Sequence, residues 1–304
     1  MDKILNGKTV AQAVKDNVAS WIKTYLKSPP KLAILTFGED PASKVYVKNK
    51  LKAAEEVGID AYHFTFTEEQ CLCTDEFFEL LTGIIDASNG VILQLPVPNW
   101  CDAQRILDCI PAAKDVDGLT SRQVGRLYVG GNGDTLVPCT PAGIMEILEA
   151  HNLERGNGKN ALVIGRSHLV GRPIAELLLQ DDWTVTIAHS KTPKETLRDL
   201  FSRADLVISA AGKMNLLTED DANQHWKDNR HDPYGCFNFK RNRIIIDVSI
   251  NRDKDGKLCG DFSEEFKDAY SEYYTPVPGG VGPMTVAMLM WNTYLATADQ
   301  QRGV

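Results

Sequence analysis

Short apolar runs alternate with helix-patterned segments twice along this chain, and that alternation limits its fold more than any other feature. Leu32–Phe37, Ala61–Phe66 and Gly90–Leu95 read as strands. Between them lie two helical patterns, Ser43–Val57, closed by Gly58 as a C′ glycine, and Asp75–Ala87. Ahead of them Val10, Val14, Val18, Ile22 and Leu26 recur at helical spacing, widened by Ala11 and Trp21. A helix is expected over Pro141–Ala150, opened by Thr140 and Pro141 as N-cap and first residue. The polar, glycine-bearing His151–Asn160 then marks a boundary, and the alternation restarts. Strands are expected at Ala161–Ile164, Thr184–Ala188, Leu206–Ala210 and Ile244–Val248, with a helix at Val170–Gln180. Strands joined by helical crossovers run parallel and need both sheet faces covered, so the expected class is α/β.

At 304 residues the chain has material for about two such domains. Asn223–Arg243 has no clean period and reads as an extended surface loop, about ten residues beyond ordinary loop lengths. The net charge of −8 argues against a broad attraction to nucleic acid or to an anionic membrane. No apolar run reaches the roughly eighteen residues that a membrane span needs. The first residues, Met1–Gly7, have neither a signal peptide's apolar stretch nor a transit peptide's character. Seven cysteines, an odd number without a CxxC pair, suggest neither a disulfide framework nor a zinc site. The chain reads as cytoplasmic.

The strand at 161–164 runs into Gly165-Arg166-Ser167-His168-Leu169-Val170-Gly171 and then a helix, as phosphate-approach loops of Rossmann units do. The spacing is GxSxxxG rather than GxGxxG, which a tight strand-to-helix turn also satisfies. The next strand ends on His189-Ser190-Lys191-Thr192, without the carboxylate that would hold the ribose diol of NAD. Arg166, Ser190 and Lys191 offer cationic and hydroxyl donors suited to a 2′-phosphate, so NADP is favoured. Ala211, Gly212 and Ile250 sit at later strand ends, where small residues let a cofactor lie across the sheet edge.

In the first half, Tyr46 and Lys50 are one helical turn apart and share a face. A lysine beside a phenol can be desolvated enough to move a proton, although an exposed lysine near a half-buried tyrosine fits the pattern equally. Gln94 interrupts the apolar run Val91–Leu95, where a primary amide needs a backbone or ligand partner. Asp115 and Asp117 lie two apart, but no further ligands cluster near them, so no metal is expected. The stretch Thr275–Thr285 carries three prolines and three glycines and is not expected to be helical. A helical pattern follows from Val286 to about Leu295. Such a stiff loop ending on a helix brings backbone N–H groups close to a ligand, or simply starts the helix.

Taken together and in order, these motifs resemble the bifunctional methylenetetrahydrofolate dehydrogenase/methenyltetrahydrofolate cyclohydrolase family. The resemblance rests on Tyr46–Lys50, Leu93–Pro96, Lys114–Gly118, Cys139–Gly143, Gly165–Pro173, His189–Thr192 and the Pro/Gly loop. It implies an N-terminal catalytic domain, residues 1–145 with the returning C-terminal helix 284–304, and a Rossmann NADP-binding domain, 146–283, with a cleft between them. It implies oxidation of 5,10-methylenetetrahydrofolate with NADP, then hydrolysis of the methenyl product to 10-formyltetrahydrofolate, without a metal. A dehydrogenase alone and a non-catalytic NADP- or folate-binding module are the alternatives. By the same resemblance Tyr46 stacks on the substrate ring, Asp117 anchors the pterin nitrogens, and Lys50 serves the hydrolytic step with Gln94 tuning its protonation. Leu93, Leu95, Pro278, Gly279, Gly280, Val281 and Gly282 join them on the folate, while Gly165, Arg166, Ser167, Ser190, Ala211, Gly212, Ile250 and Thr285 hold NADP. A homodimer is also implied. In one departure, Ser249 stands where the family usually has glycine, near the expected backbone approach of the cofactor.

Overall fold

The computed structural model describes residues 3–72, 74–130, 135–229 and 242–303. By internal packing the chain divides into two compact units: Ala11–Cys139 with Thr285–Val304, and Thr140–Met284 with Met1–Val10.

In the first unit, helix α1 (Gly7–Tyr25) leads into β1 (Lys31–Phe37), α2 (Pro41–Val57), β2 (Asp60–Phe66), α3 (Glu68–Leu72), α4 (Thr74–Asp86) and β3 (Gly90–Leu93). The strands pair in parallel in the order β2-β1-β3. The central strand is buried from Leu32 onward, and residues Leu32, Ala33, Ile34 and Leu35 have no exposed surface. Phe37, Phe66, Phe77, Leu81, Leu93 and Ile106 form the core on one side, with Phe66 and Phe77 edge-to-face at 5.3 Å. Fully burying each such side chain contributes about 1.5–3 kcal/mol. Helix α2 starts at Pro41, just ahead of the expected Ser43, where Asp40 accepts the Ser43 N–H at 2.8 Å, and its end on Gly58 in the left-handed region (φ 86°) is the one the pattern predicts. Helices α5 (Ala103–Asp108) and α6 (Ser121–Tyr128) follow, and α7 (Cys139–Ala150) leads into the second unit.

The second unit holds β4 (Asn160–Ile164), α8 (Gly171–Gln180), β5 (Thr184–Ala188), α9 (Lys194–Arg203), β6 (Leu206–Ser209), α10 (Glu219–Asn229) and β7 (Ile244–Asp247). A small antiparallel pair, β8 (Asn251–Arg252) and β9 (Leu258–Cys259), precedes α11 (Glu264–Tyr270) and β10 (Tyr273–Tyr274). The five-stranded sheet is parallel throughout, in the order β10-β7-β6-β4-β5. From β4 the chain winds outward to β5, then crosses back to β6. The carboxyl ends of β4 and β6 therefore flank a topological switch point, where ligands of open α/β sheets bind. Helix α12 (Val281–Arg302) closes the chain.

Four expectations need correction. Strand β3 stops at Leu93 rather than Leu95: the Gln94 N–H makes a last bond to Leu35 O at 2.9 Å, and Pro96 then lacks a donor. Helix α7 starts at Cys139, ahead of the predicted Thr140 cap, with Pro141 still inside the first turn, where no N–H is required. Helix α12 starts at Val281, inside the Pro/Gly stretch, and Pro283 is tolerated for the same reason. Part of the predicted 223–243 loop is helix α10. It is poor in apolar residues, so it shows no hydrophobic period, but Glu219, Asp220 and Asp221 suit its N-terminus and Thr218 donates to Asp221 at 2.9 Å. The rest of that segment, 230–241, lies outside the described residues.

Candidate active site

In the first unit Lys50 and Gln94 meet. The Lys50 Nζ donates to Gln94 Oε1 at 2.9 Å, and both side chains are buried, at 8% and 9% exposure. Helix α2 supplies the lysine, and the residue just past β3 supplies the amide. Gln94 Nε2 donates to Leu95 O at 2.7 Å, which fixes the amide with its oxygen towards the ammonium. Tyr46, one turn before Lys50 on α2, is 47% exposed and presents its ring outward. Leu93 is buried in the sheet and Leu95 half-buried.

Asp115 and Asp117 do different jobs. Asp115 is buried and accepts the Thr120 N–H at 2.7 Å, so it braces the turn, and burial pushes its carboxyl above the usual range. At Gly118 (φ +69°) a Cβ would come 2.6 Å from Leu136 O, so the turn lies tight against 136–138. Asp117 is half-buried beside the Cys139 thiol, which donates to Val116 O at 3.3 Å. Burial first, and then the Asp117 carboxylate, pushes that thiol well above its ordinary range, while the Lys50 ammonium pulls the other way. Lys50, Asp117 and Cys139 are thus electrostatic neighbours, and Cys139 is a neutral donor rather than a thiolate. Asn292 of α12 donates to Val116 O and Val137 O, both at 2.9 Å, and holds the backbone on either side. Gln94 also lines a pocket of about 220 Å³ with Thr36, Ser43, Lys44 and His63. Its wall is hydrogen-bonded, with Thr36 Oγ1 2.8 Å from His63 Nε2 and 3.0 Å from Thr65 Oγ1.

The second unit carries the nucleotide-type loop at the switch point. Gly165 has φ +136°, and a Cβ there would lie 2.6 Å from Ala210 O. At Gly171 a Cβ would come 2.4 Å from Gly165 O, so the helix can approach the loop only without a side chain. Ser167 Oγ accepts the Val170 N–H at 3.1 Å and fixes the turn. Arg166 and Ser167 are exposed beside it, and Ser190 and Lys191 are exposed just past β5.

Past β6, Ala211 and Gly212 are held by a hub that the sequence did not reveal. Asp261, with no exposed surface, accepts Ser209 Oγ at 2.6 Å, the Ala211 N–H at 2.9 Å, the Lys213 N–H at 2.8 Å and Ser249 Oγ at 2.8 Å. Ser249 Oγ in turn accepts the Gly212 N–H at 3.0 Å. The hydroxyl that replaces the family's usual glycine therefore ties the 211–213 backbone to β7. Asp247 accepts the Asp261 and Phe262 N–H groups, each at 3.0 Å, and burial still pushes its carboxyl up to about 6.

In the Pro/Gly loop Gly280 and Val281 are buried, while Pro278 and Gly282 are exposed. A Cβ on Gly282 would meet only Ile250 Cδ1, at 3.7 Å. Thr285 lies on α12 where the packing division passes to the other unit. Sequence reasoning missed the hub Asp261, the donor Cys139 and the brace Asn292. A polar Asn inside the apolar Val286–Leu295 pattern was the available signal for the last. Among the described residues no group of three or more His, Cys, Asp or Glu side chains could hold a metal, and no helix is long and apolar enough to cross a membrane.

Two family models match. "Tetrahydrofolate dehydrogenase/cyclohydrolase, catalytic domain" covers residues 5–117, and the corresponding "NAD(P)-binding domain" covers 138–226 and 237–301. The unmatched stretch between the last two ranges falls in the long polar segment noted above. Bifunctional protein FolD of Magnetococcus marinus is 40% identical over 301 residues, 96% of each chain. Among solved structures, the FolD dehydrogenase/cyclohydrolase of Campylobacter jejuni has a TM-score of 0.84 at 36% identity, covering 98% of this chain and 99% of its own. The Trypanosoma brucei enzyme, solved with NADP cofactor and an inhibitor, has a TM-score of 0.83 at 30% identity, covering 99% and 100%.

Proposed function

The chain belongs to the tetrahydrofolate dehydrogenase/cyclohydrolase family, and from that premise we infer that it runs two consecutive reactions of one-carbon metabolism. It oxidises 5,10-methylenetetrahydrofolate to the methenyl compound with NADP, then hydrolyses that compound to 10-formyltetrahydrofolate. The observation that carries this reading is the buried Lys50–Gln94 pair, whose lysine stands on the helix that also presents Tyr46.

The residues at the switch point fit a dinucleotide: Gly165 and Gly171 pack too closely on Ala210 O and Gly165 O to carry a Cβ, which draws the N-terminus of α8 in against the strand end where a pyrophosphate would sit. Gly165, Ser167, Ala211, Gly212, Ile250 and Thr285 would hold NADP, with Arg166 and Ser190 on its 2′-phosphate. When bound, NADP supplies the hydride acceptor. Tyr46 stacks on the substrate ring, and Asp117 accepts from the pterin's N–H groups. Leu93, Leu95 and Pro278–Gly282 give apolar and backbone contact to the folate. The methenyl carbon is already cationic, so its hydration needs an oriented water and a proton acceptor. Lys50 Nζ, once it has given up its own ammonium proton, is that acceptor, and the proton the attacking water loses ends on it. Gln94 Oε1 positions that nitrogen.

This reading assigns folate binding to residues 1–145 with 284–304, and NADP binding to 146–283. The family resemblance supports a homodimer, and seven scattered cysteines without a CxxC pair fit the reducing cytoplasm. Light scattering of the purified protein tests the dimer. For the reaction, purified protein given methylenetetrahydrofolate reduces NADP faster than NAD and consumes added methenyl compound above its spontaneous rate. Tight NADP binding with turnover of neither substrate would reduce the chain to a binding module.

A further inference from the structure

Lys267 on α11 has no exposed surface, and no step above uses it. A buried ammonium is costly unless acceptors surround it. Its acceptors here are Glu264 Oε1 at 2.6 Å and the Thr275 carbonyl at 2.9 Å, with the Tyr274 ring 5.4 Å away. The same Glu264 oxygen accepts the Val277 N–H at 3.3 Å. Pro276 between them has no N–H, so this one ion pair takes up the backbone polar groups on both sides of it. The anchor reaches further along the loop. Thr275 is fixed from below by its N–H to Ile245 O at 3.0 Å and by the Asp247 N–H to its hydroxyl at 2.8 Å. Gly280 packs back on this anchored segment, where a Cβ would lie 2.6 Å from Pro276 O and 2.7 Å from Thr275 Cβ. A displacement of Thr275–Pro276 is therefore passed to Gly280, in the middle of the loop.

We propose that Lys267, with Glu264, is a positioning residue for the folate loop: it sets where Pro278–Gly282 stand without touching the substrate. The proposal rests on the reading that this loop contacts folate. Steady-state kinetics with methylenetetrahydrofolate, and NADP affinity by calorimetry, test it on wild type, K267M, E264Q and G282A. In K267M, kcat/KM for methylenetetrahydrofolate falls about tenfold, within the range that small misplacements of positioning groups cost. The Kd for NADP stays at the wild-type value. E264Q keeps an amide oxygen for the Lys267 ammonium, so it serves as the second variant should K267M fail to fold, and it lowers the same constant by a smaller factor. Folded variants with wild-type kcat/KM for the folate overturn the proposal. Equal losses for folate and NADP also overturn it, since they mark a general structural role. G282A separates the two readings, because its added methyl fits the fold at 3.7 Å from Ile250. A raised folate KM in G282A with an unchanged K267M removes Lys267 alone. An unchanged KM in both takes the loop out of the folate site.

Discussion

Gln94 accepts the Lys50 ammonium at 2.9 Å while its own amide nitrogen donates to Leu95 O at 2.7 Å, so the side chain cannot turn over without losing both bonds. A neutral oxygen thus faces a buried ammonium at the proposed site of hydrolysis. A neutral acceptor orients a lysine without holding its proton as a carboxylate would.

That arrangement predicts the outcome of Q94E. The carboxylate keeps the proton on Lys50 to higher pH, so methenyl hydrolysis drops at neutral pH and its pH–rate profile moves to the alkaline side. Oxidation of methylenetetrahydrofolate is affected less. Profiles of both activities check this, and an unmoved hydrolysis profile would detach Gln94 from the lysine's proton.

Ser249 predicts a change in cofactor binding. Its hydroxyl accepts the Gly212 N–H and donates to Asp261. Losing one such hydrogen bond costs about 1 kcal/mol, or about fivefold in an equilibrium constant. S249G therefore weakens NADP by about that factor, read by calorimetry, with methenyl hydrolysis unchanged. Equal affinity in S249G would mean that the loop is held without it.

G171A tests the dinucleotide cradle. Its methyl would meet Gly165 O at 2.4 Å, so the loop must move. NADP reduction is expected to fall by at least an order of magnitude, on the scale of a misplaced binding loop. Methenyl hydrolysis, which needs no NADP, persists in the same preparation. Loss of both activities together would point to unfolding instead.

Asp247 gives a pH dependence of stability. Its folded-state pKa, about 6, lies above the ordinary carboxylate value because of burial. The folded protein therefore binds this proton more tightly than the unfolded chain. The group's stabilising contribution is full below the unfolded pKa, near 4, and is lost as pH rises through about 6. Thermal unfolding of wild type and D247N across that window checks the sign: wild type gains on the variant as pH falls. A difference that is flat with pH would contradict it.

The two alternations of strand and helix were legible because central strands such as β1 are buried on both faces and read as unbroken apolar runs. Gly58 marked the end of α2 for a local reason that needs no tertiary context. Helix α10 was hidden because its residues are almost all polar, and helicity there rests on an acidic first turn rather than on an apolar stripe. Lys50, Gln94 and Asp117 were legible only as parts of a family pattern. Their individual motifs are short, and what distinguishes the lysine is a partner 44 residues away. Asp261 and Lys267 gave no sign in sequence, because each acts on backbone groups that only the fold brings within reach.

The most direct test of the central claim is K50M, assayed in one cuvette with methylenetetrahydrofolate and NADP while NADPH and the methenyl compound are both followed. The account predicts that NADPH still forms and that the methenyl compound accumulates, decaying only at its spontaneous rate. Hydrolysis at the wild-type rate in folded K50M would contradict it.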